Sequence, residues 1–307
     1  MLRMILICVA AMPFLAGCQS SDESGGAEVV ATTTQVADIA ANVAGDRAEV
    51  HGILPPNADP HDYEPRPSDV TAIANAHVVI TSGGEVDEWI EELIESSGTE
   101  AEIVSLIDSA PISRTEDGET DPHWWQDPRN AIAAVETIRV ELARTWPEDA
   151  ATYEENAATY VRAIRRTDQD IAECMDFLPE GARKLVTSHD SLGYFADRYG
   201  IEIVGAAIPA LSTQAQPSTG ETAELVRVLD AEEVRAIFPE AGLSGDLEEA
   251  IADEAKITVG GELYADSLGE AGTAGETYIG ALEANSGALF KGFSGGVYRP
   301  CPRPEPG

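Results

Sequence analysis

Short apolar runs alternate with amphipathic segments through the first third of the chain. The runs, such as HVVITSG at residues 77–83, have the length and the Val/Ile content of buried strands. The segments between them have the periodicity of helices about ten residues long, and Ser68 is the expected N-cap of the second helix. The predicted strands are residues 28–33, 48–54, 77–83 and 101–107, and the predicted helices are residues 35–45, 67–76 and 85–98. This alternation predicts a parallel sheet covered on both faces.

A longer uninterrupted segment comes next. Residues 147–179 contain no glycine and no interior proline, with Pro147 suited to a first helical turn and Pro179 suited to a stop. A helix of about thirty residues would span roughly 45 Å at 1.5 Å per residue. This length exceeds what one small domain needs, so the segment is predicted to be a connecting strut.

The alternation of strands and helices resumes after this segment. The predicted strands are residues 183–189, 201–208, 234–240 and 257–263, and the predicted helices are residues 190–200, 219–230, 246–255 and 275–293. The pattern predicts a second α/β lobe similar to the first, with a parallel sheet flanked by helices. Ligands bind at the carboxyl ends of the strands in open α/β sheets, so two facing lobes predict a cleft site.

The composition is that of a globular protein with an unusual charge. Hydrophobic residues make up 43% of the 307 residues and charged residues make up 24%. Nineteen basic residues against 55 acidic ones give a net charge of −36, which disfavours nucleic acid and anionic lipid as partners and attracts cations. Adaptation to salt, or solubility through self-repulsion, is the simpler explanation of the charge.

The N-terminus has the features of an export signal. Residues 1–17 combine Arg3 with an apolar run that is too short to span a membrane. The sequence LAGC, which ends at Cys18, resembles a bacterial lipobox, in which the cysteine becomes the lipidated first residue of the mature chain. The alternative is an ordinary signal peptide that contains a cysteine. Lipidation at Cys18 predicts an extracytoplasmic protein that is held at the cell membrane by its lipid anchor alone.

The remaining cysteines and the domain limits can then be assigned. Cys8 leaves with the signal, and the two cysteines left, Cys174 and Cys301, are expected to pair, as cysteines in exported proteins most often do. Two separate thiols are the alternative. The predicted organisation is a signal peptide at 1–17, a lipidated tether at 18–27, a first lobe at 28–146, the long helix at 147–179, a second lobe at 180–295 and a Pro-rich tail at 296–307.

Two of the five histidines, His61 and His123, directly follow Asp-Pro. Proline fixes its own φ and restricts the residue before it, so both histidines are presented from stiff loops. The preceding carboxylates, Asp59 and Asp121, are expected to accept the second imidazole N–H or to cap a backbone N–H. A metal ion requires neutral imidazoles with a fixed tautomer, and this arrangement favours them.

Two further residues complete a candidate metal site. His189 lies immediately after the strand-forming residues KLVTS, at the start of a predicted helix, and Asp266 follows a later strand of the second lobe. The two Asp-Pro-His histidines lie in strand-end loops of the first lobe, so all four residues are expected at a cleft shared by both lobes. His51 and His77 belong to strand patterns and are not expected to bind metal.

The segments that contain these residues resemble a known family. NADPHDYEPRPSDV, DPHWWQDPRNA, LVTSHDSLGYFADRYG and LYADSLGEAG are similar to motifs of the metal-binding lipoproteins of zinc and manganese ABC importers, and the resemblance extends from about residue 28 to 293. It implies two α/β lobes bridged by one long rigid helix, with metal ligands at His61, His123, His189 and Asp266. Histidine at the third position is typical of zinc binders in this family and glutamate of manganese binders, so His189 implies zinc.

Three features depart from the family pattern. Many zinc members carry a His-rich acidic insertion before the second ligand, whereas residues 108–122 form a short acidic segment without histidine. Auxiliary metal collection by this segment is therefore not expected. Asn57 stands where the family commonly has glycine, and Gln216 stands where glutamate is frequent.

The predicted function is capture of Zn²⁺ outside the cytoplasm and its delivery to an ABC permease, by a monomer that is not an enzyme. A manganese- or iron-binding protein of the same importer type is one alternative. A zinc hydrolase is another, because three histidines and an open position can activate water. However, Asp266 would close that position, and no residue stands out as a general base. A surface adhesin lipoprotein, in which metal is incidental, is a third alternative.

Overall fold

The computed structural model describes residues 28–116 and 118–296. The strands of its first sheet are β1 (Val29–Ala31), β2 (Val50–Gly52), β3 (Val78–Thr81) and β4 (Glu102–Ser105). They are all parallel, in the order β2-β1-β3-β4. The central strands β1 and β3 are buried throughout, as expected for continuous Val/Ile runs in a sheet covered on both faces. The predicted parallel sheet of the first lobe is confirmed.

Three helices connect these strands: α1 (Thr34–Ala44), α2 (Pro67–Asn75) and α3 (Trp89–Ser97). The N-cap expected at Ser68 is wrong. α2 begins at Pro67, and the N–H of Arg66 donates to Oδ2 of Asp69 at 2.7 Å, as in a capping box. Proline at the first helical position and aspartate at the third start the helix early, so that Ser68 lies inside the first turn.

The segment before the long helix contains elements that the sequence pattern did not predict. An antiparallel hairpin pairs β5 (Thr115–Glu116) with β6 (Glu119–Thr120). The helix α4 (Pro128–Thr145) follows, and its N-cap Asp127 accepts the N–H of Arg129 at 2.9 Å. The buried face of α4 includes proline, asparagine and two alanines, which weakens the apolar periodicity that reveals a helix in a sequence.

The strands of the second lobe are β7 (Lys184–His189), β8 (Glu202–Ile208), β9 (Ala236–Ile237) and β10 (Thr258–Val259). β7 pairs with β8 and β9 pairs with β10, in both cases parallel. A parallel bridge between Thr187 and Phe238 joins the two pairs. β9 and β10 are shorter than predicted, and the chain beyond them pairs through an isolated parallel bridge between Glu240 and Leu263.

The helices of the second lobe are α6 (Gly193–Tyr199), α7 (Thr219–Ala231), α8 (Asp246–Ala255) and α9 (Tyr278–Phe293). α7 and α8 lie where the sequence predicts them, whereas α6 begins three residues later than predicted, at Gly193. Within the two described ranges of the chain, no helix combines the length and the apolar character that crossing a membrane requires.

One long helix joins the lobes, as predicted. α5 (Ala150–Met175) has 26 residues and is about 39 Å long at 1.5 Å per residue. It is shorter than predicted because residues 147–149 form a separate 3-10 turn and the helix ends before Asp176. α5 packs against α1 and α4 of the first lobe and against α6 and α9 of the second. Asp168 of α5 accepts two hydrogen bonds from Arg198 of α6, at 2.7 and 2.8 Å.

Some predictions concern residues outside the described ranges. The signal peptide, the tether with Cys18 and the tail with Cys301 lie there. Cys174 is buried in the last turn of α5. Lipidation of Cys18, pairing of Cys174 with Cys301 and the residue limits of the lobes remain predictions.

Candidate metal centre

The four residues predicted as metal ligands lie together where the two lobes meet. His61 lies in a 3-10 turn after β2, His123 lies just before a 3-10 turn that leads into α4, His189 is the last residue of β7, and Asp266 lies in the loop before α9. One nitrogen or oxygen atom from each residue lies within 4.8 Å of the others. His189 thus belongs to the strand itself, not to the start of the next helix.

The Asp266 carboxylate lies among the three imidazoles. Its Oδ2 is 3.4 Å from Nε2 of His61 and 3.0 Å from Nε2 of His189, and its Oδ1 is 3.4 Å from Nε2 of His123. In a tetrahedral zinc site, ligands with bonds of about 2.0–2.1 Å lie roughly 3.3 Å apart. All five atoms are buried, and none has a hydrogen-bond partner among the described residues. Buried polar atoms without partners are costly, so a cation fits between them.

The two Asp-Pro-His tripeptides share one contact and differ in another. Asp59 Oδ1 accepts the backbone N–H of His61 at 2.9 Å, and Asp121 Oδ1 accepts that of His123 at 3.0 Å. Asp121 also lies 2.8 Å from Nδ1 of the His123 ring, which directs Nε2 toward Asp266. The second oxygen of Asp59 instead accepts the hydroxyl of Thr213 at 2.6 Å. The predicted cap is present in both tripeptides, and the ring contact occurs only in the second.

Glu240 is a site residue that the sequence analysis missed. Its Oε1 accepts the backbone N–H of His189 at 3.0 Å, and its Oε2 lies 2.9 Å from Nδ1 of the His189 ring. Glu240 is buried, and it orients His189 as Asp121 orients His123. The available signal was the final glutamate of VRAIFPE, because this segment runs beside the strand that ends in His189, to which an isolated bridge joins it.

The charges at the site shift two pKa values in opposite directions. Burial alone would lower the pKa of His189, but the carboxylates of Glu240 and Asp266 outweigh it and raise this pKa well above its usual value. Burial alone would raise the pKa of Asp266, but His189 and His123 outweigh it and hold this pKa well below its usual value. The raised pKa of His189 favours its protonated form when metal is absent, and metal binding through Nε2 requires this proton to leave.

The loop that carries Asp266 is attached to the first lobe. The Ala265 carbonyl accepts three side-chain N–H groups: Trp125 Nε1 at 2.9 Å, Gln126 Nε2 at 2.9 Å and Gln35 Nε2 at 3.3 Å. All four residues are buried. The position of the Asp266 carboxylate is therefore set by residues of the other lobe, as well as by its own loop.

Two of the departures from the family pattern can be compared with the structure. Asn57 has a left-handed φ of 58°, a conformation that glycine adopts freely and asparagine tolerates. Its N–H donates to the Leu268 carbonyl at 2.9 Å, and its own carbonyl lies so close to Gly242 that an added Cβ there would be 2.5 Å away. Nothing in the structure explains Gln216, whose side chain is exposed.

The other two histidines lie outside the cluster. His51 is exposed on β2. The ring of His77 packs edge-on against Trp146, with 5.7 Å between the ring centroids. Neither of them belongs to the group of residues that could hold a metal ion.

The sequence matches the ZnuA family, described as "Zinc-uptake complex component A periplasmic", over residues 29–292. The chain belongs to this family. It is thus a metal-binding component of an uptake complex, as the resemblance implied. Manganese-binding lipoprotein MntA of Halalkalibacterium halodurans is 29% identical over 293 residues, which cover 95% of this chain and 96% of the relative. Iron-binding protein YfeA of Yersinia pestis is 32% identical over 283 residues, which cover 91% of this chain and 90% of the relative.

The structure is similar to that of periplasmic zinc-binding protein TroA from Treponema pallidum. The TM-score is 0.82 and the sequence identity 26%, over 88% of this chain and 99% of TroA. The predicted fold class, two α/β lobes joined by a long helix, is therefore confirmed. The names of the three relatives specify three different metals, so family membership alone does not assign one.

Metal binding is expected to release about one proton from His189 at pH 7. Affinity should then rise by up to about tenfold per pH unit until the pH passes the raised pKa of His189. Competition titrations between roughly pH 6 and 8, where histidine titrates, measure this slope. Glu240→Gln removes one of the carboxylates that raise the pKa, so its slope near neutral pH should be shallower. A wild-type affinity that stays constant over this interval would contradict the expectation.

Proposed function

We propose that this protein captures a divalent metal ion between its lobes and delivers it to the permease of an ABC importer. The proposed ligands are Nε2 of His61, His123 and His189 and the carboxylate of Asp266. The observation that carries the proposal is the set of five buried polar atoms that face one another at this point and have no hydrogen-bond partner in the described part of the chain. Membership of a metal-uptake family supports the same function.

The geometry favours binding over catalysis. A catalytic zinc site keeps one position open for water, whereas three imidazoles and a carboxylate supply a complete tetrahedral set. The neighbouring carboxylates of Asp121 and Glu240 already accept imidazole N–H groups, so neither is placed to act as a general base toward a bound water. A role as a carrier therefore fits the site better than a role as a hydrolase.

Removal of a ligand tests the proposed site. His61→Ala and His123→Ala should each weaken Zn²⁺ binding by more than about 100-fold. Mutation of residues that only orient a metal ligand already lowers metal affinity by about 10–100-fold, and loss of the ligand itself should lower it further. Isothermal titration with a competing chelator measures this loss. His51→Ala is the matched control, since His51 is exposed on the first lobe outside the cluster. If either ligand variant binds zinc as the wild type does, the proposed site is wrong.

We infer that the metal is zinc. Three imidazole nitrogens and one carboxylate suit zinc, while manganese prefers more oxygen ligands and a higher coordination number. Manganese is the second candidate, because both oxygens of Asp266 face the histidines and could bind together. The similarity to MntA supports the same alternative.

The residue at the third ligand position should determine the preference between these metals. His189→Glu exchanges an imidazole for a carboxylate, so it should lower the zinc affinity and reduce the difference between the zinc and manganese affinities. Competition titrations of the wild type and the variant with both metals measure the ratio of the zinc affinity to the manganese affinity. His77→Glu makes the same chemical change outside the cluster and should leave the ratio of affinities unchanged. A wild type that prefers manganese, or an unaltered ratio in His189→Glu, would rule out the zinc assignment.

Two covalent features complete the proposed carrier. Lipid on Cys18 would hold it at the outer face of the cell membrane, and a disulfide between Cys174 and Cys301 would attach the tail to the end of the long helix. The mass of the mature protein should show N-terminal cleavage before a lipidated Cys18. Thiol labelling of the denatured, unreduced protein should leave Cys174 and Cys301 unmodified. Unmodified Cys18, or two reactive thiols, would contradict the respective proposal.

A further inference from the structure

Arg114 joins the two lobes beside the metal cluster. It lies just before the β5–β6 hairpin, and its guanidinium contacts three carboxylates. Nη1 is 3.1 Å from Oδ2 of Asp121, and Nη2 is 2.9 Å from Oε2 of Glu116, both in the first lobe. Nε is 3.4 Å from Oδ2 of Asp197, on α6 of the second lobe. This side chain therefore forms ion pairs within its own lobe and across the interface.

The guanidinium fits closely against α6. It lies over Gly193, where an added Cβ would be 2.4 Å from Cζ of Arg114. The backbone N–H of Arg114 donates to the hydroxyl of Tyr194 at 3.0 Å, and this hydroxyl donates to the Asp121 carbonyl at 3.0 Å. Tyr194 is buried, so these contacts belong to a packed interface and not to a mobile surface pair.

Asp121 connects Arg114 to a proposed metal ligand. Its Oδ1 accepts the backbone N–H of His123 and lies 2.8 Å from Nδ1 of the His123 ring. Its Oδ2 accepts a hydrogen bond from Nη1 of Arg114. Arg114 thus restrains the carboxylate that sets the orientation of the His123 ring. It does so while it is also paired with the opposite lobe through Asp197.

We propose that Arg114 is an inter-lobe latch that slows release of the bound metal, and a positioning residue for His123. The inference rests on the proposed function, since it concerns the metal held by that site. His123 and His189 are fully buried, so the metal can leave only when the surrounding segments move apart. Separation of α6 from Asp121 breaks the Arg114–Asp197 pair and removes Arg114 from Gly193. These contacts therefore oppose the movement that release requires.

The test is the rate at which zinc-loaded protein gives up Zn²⁺ to excess chelator in stopped flow. Arg114→Gln should release zinc about 10-fold faster than the wild type. This factor is the lower end of the loss in metal affinity, about 10–100-fold, that follows mutation of residues that orient metal ligands. Zinc stoichiometry and the coordination seen by X-ray absorption should not change, because no ligand is altered. Arg139→Gln is the matched control, since Arg139 pairs with Glu136 on α4 at 2.8 Å and is similarly exposed.

A second variant separates the latch from a general loss of stability. Asp197 is 72% exposed and contacts Arg114 without touching the ligands, so Asp197→Asn should accelerate release without lowering Tm. The double variant Arg114→Gln/Asp197→Asn should be no faster than Arg114→Gln alone, because both changes remove the same contact.

The outcomes that would overturn the latch differ from those that would overturn the carrier. Stoichiometric zinc binding with wild-type release rates in Arg114→Gln overturns the latch alone. So does faster release that is matched by Arg139→Gln and accompanied by a fall in Tm in both variants. A wild-type protein that fails to bind zinc, manganese or iron overturns the proposed function and the latch together.

Discussion

The structure depends on a buried carboxylate that faces three imidazole nitrogens, none of which has a hydrogen-bond partner among the residues that the structure describes. Removing such atoms from water costs free energy unless another charge or a donor compensates. The carboxylates around His189 raise its pKa, which favours a compensating proton on this ring when metal is absent. A divalent cation at the proposed site would compensate more completely, because it would contact all the inward-facing atoms at once. Metal binding at this site would then stabilise the observed contact between the lobes.

The rest of the fold keeps these groups from relaxing. Each proposed ligand is fixed by a second contact: Asp59 caps the His61 backbone, Asp121 and Glu240 hold two imidazole rings, and the Ala265 carbonyl is bound by three donors of the opposite lobe. The long helix α5 packs against helices of both lobes. The cluster is thus held from both lobes, and a change in their relative position alters its geometry.

Much of this arrangement could be predicted from sequence because its causes are local. Val/Ile runs predict buried strands, and Asp-Pro-His predicts a stiff histidine with a capped N–H. The N-cap at Ser68 failed for an equally local reason, since Pro67 and Asp69 start the helix before it. α4 was missed because proline, asparagine and alanine on its buried face weaken the apolar pattern.

The partners of the ligands were harder to predict because they depend on tertiary neighbours. Glu240 is 51 positions from His189 in sequence and meets it only because their strands lie side by side in the second lobe. Arg114 is close to Asp121 in the chain, but its contact with Asp197 exists only after the lobes assemble. Periodicity and motif spacing contain no information on such pairs, so only the assembled structure reveals them.

Trp125 has a position with a practical consequence. Its ring is 5.4 Å from the ring of His123, and its indole N–H donates to the Ala265 carbonyl of the other lobe. Indole emission depends on nearby charge and on the hydrogen bond of its N–H. The ring of Trp125 thus lies beside a histidine of the cluster, and its N–H is bonded to the loop that carries Asp266. A cation bound at the cluster would add charge beside this indole, so a change in the intrinsic fluorescence, to which Trp125 contributes as one of four tryptophans, would be an expected optical sign of occupancy.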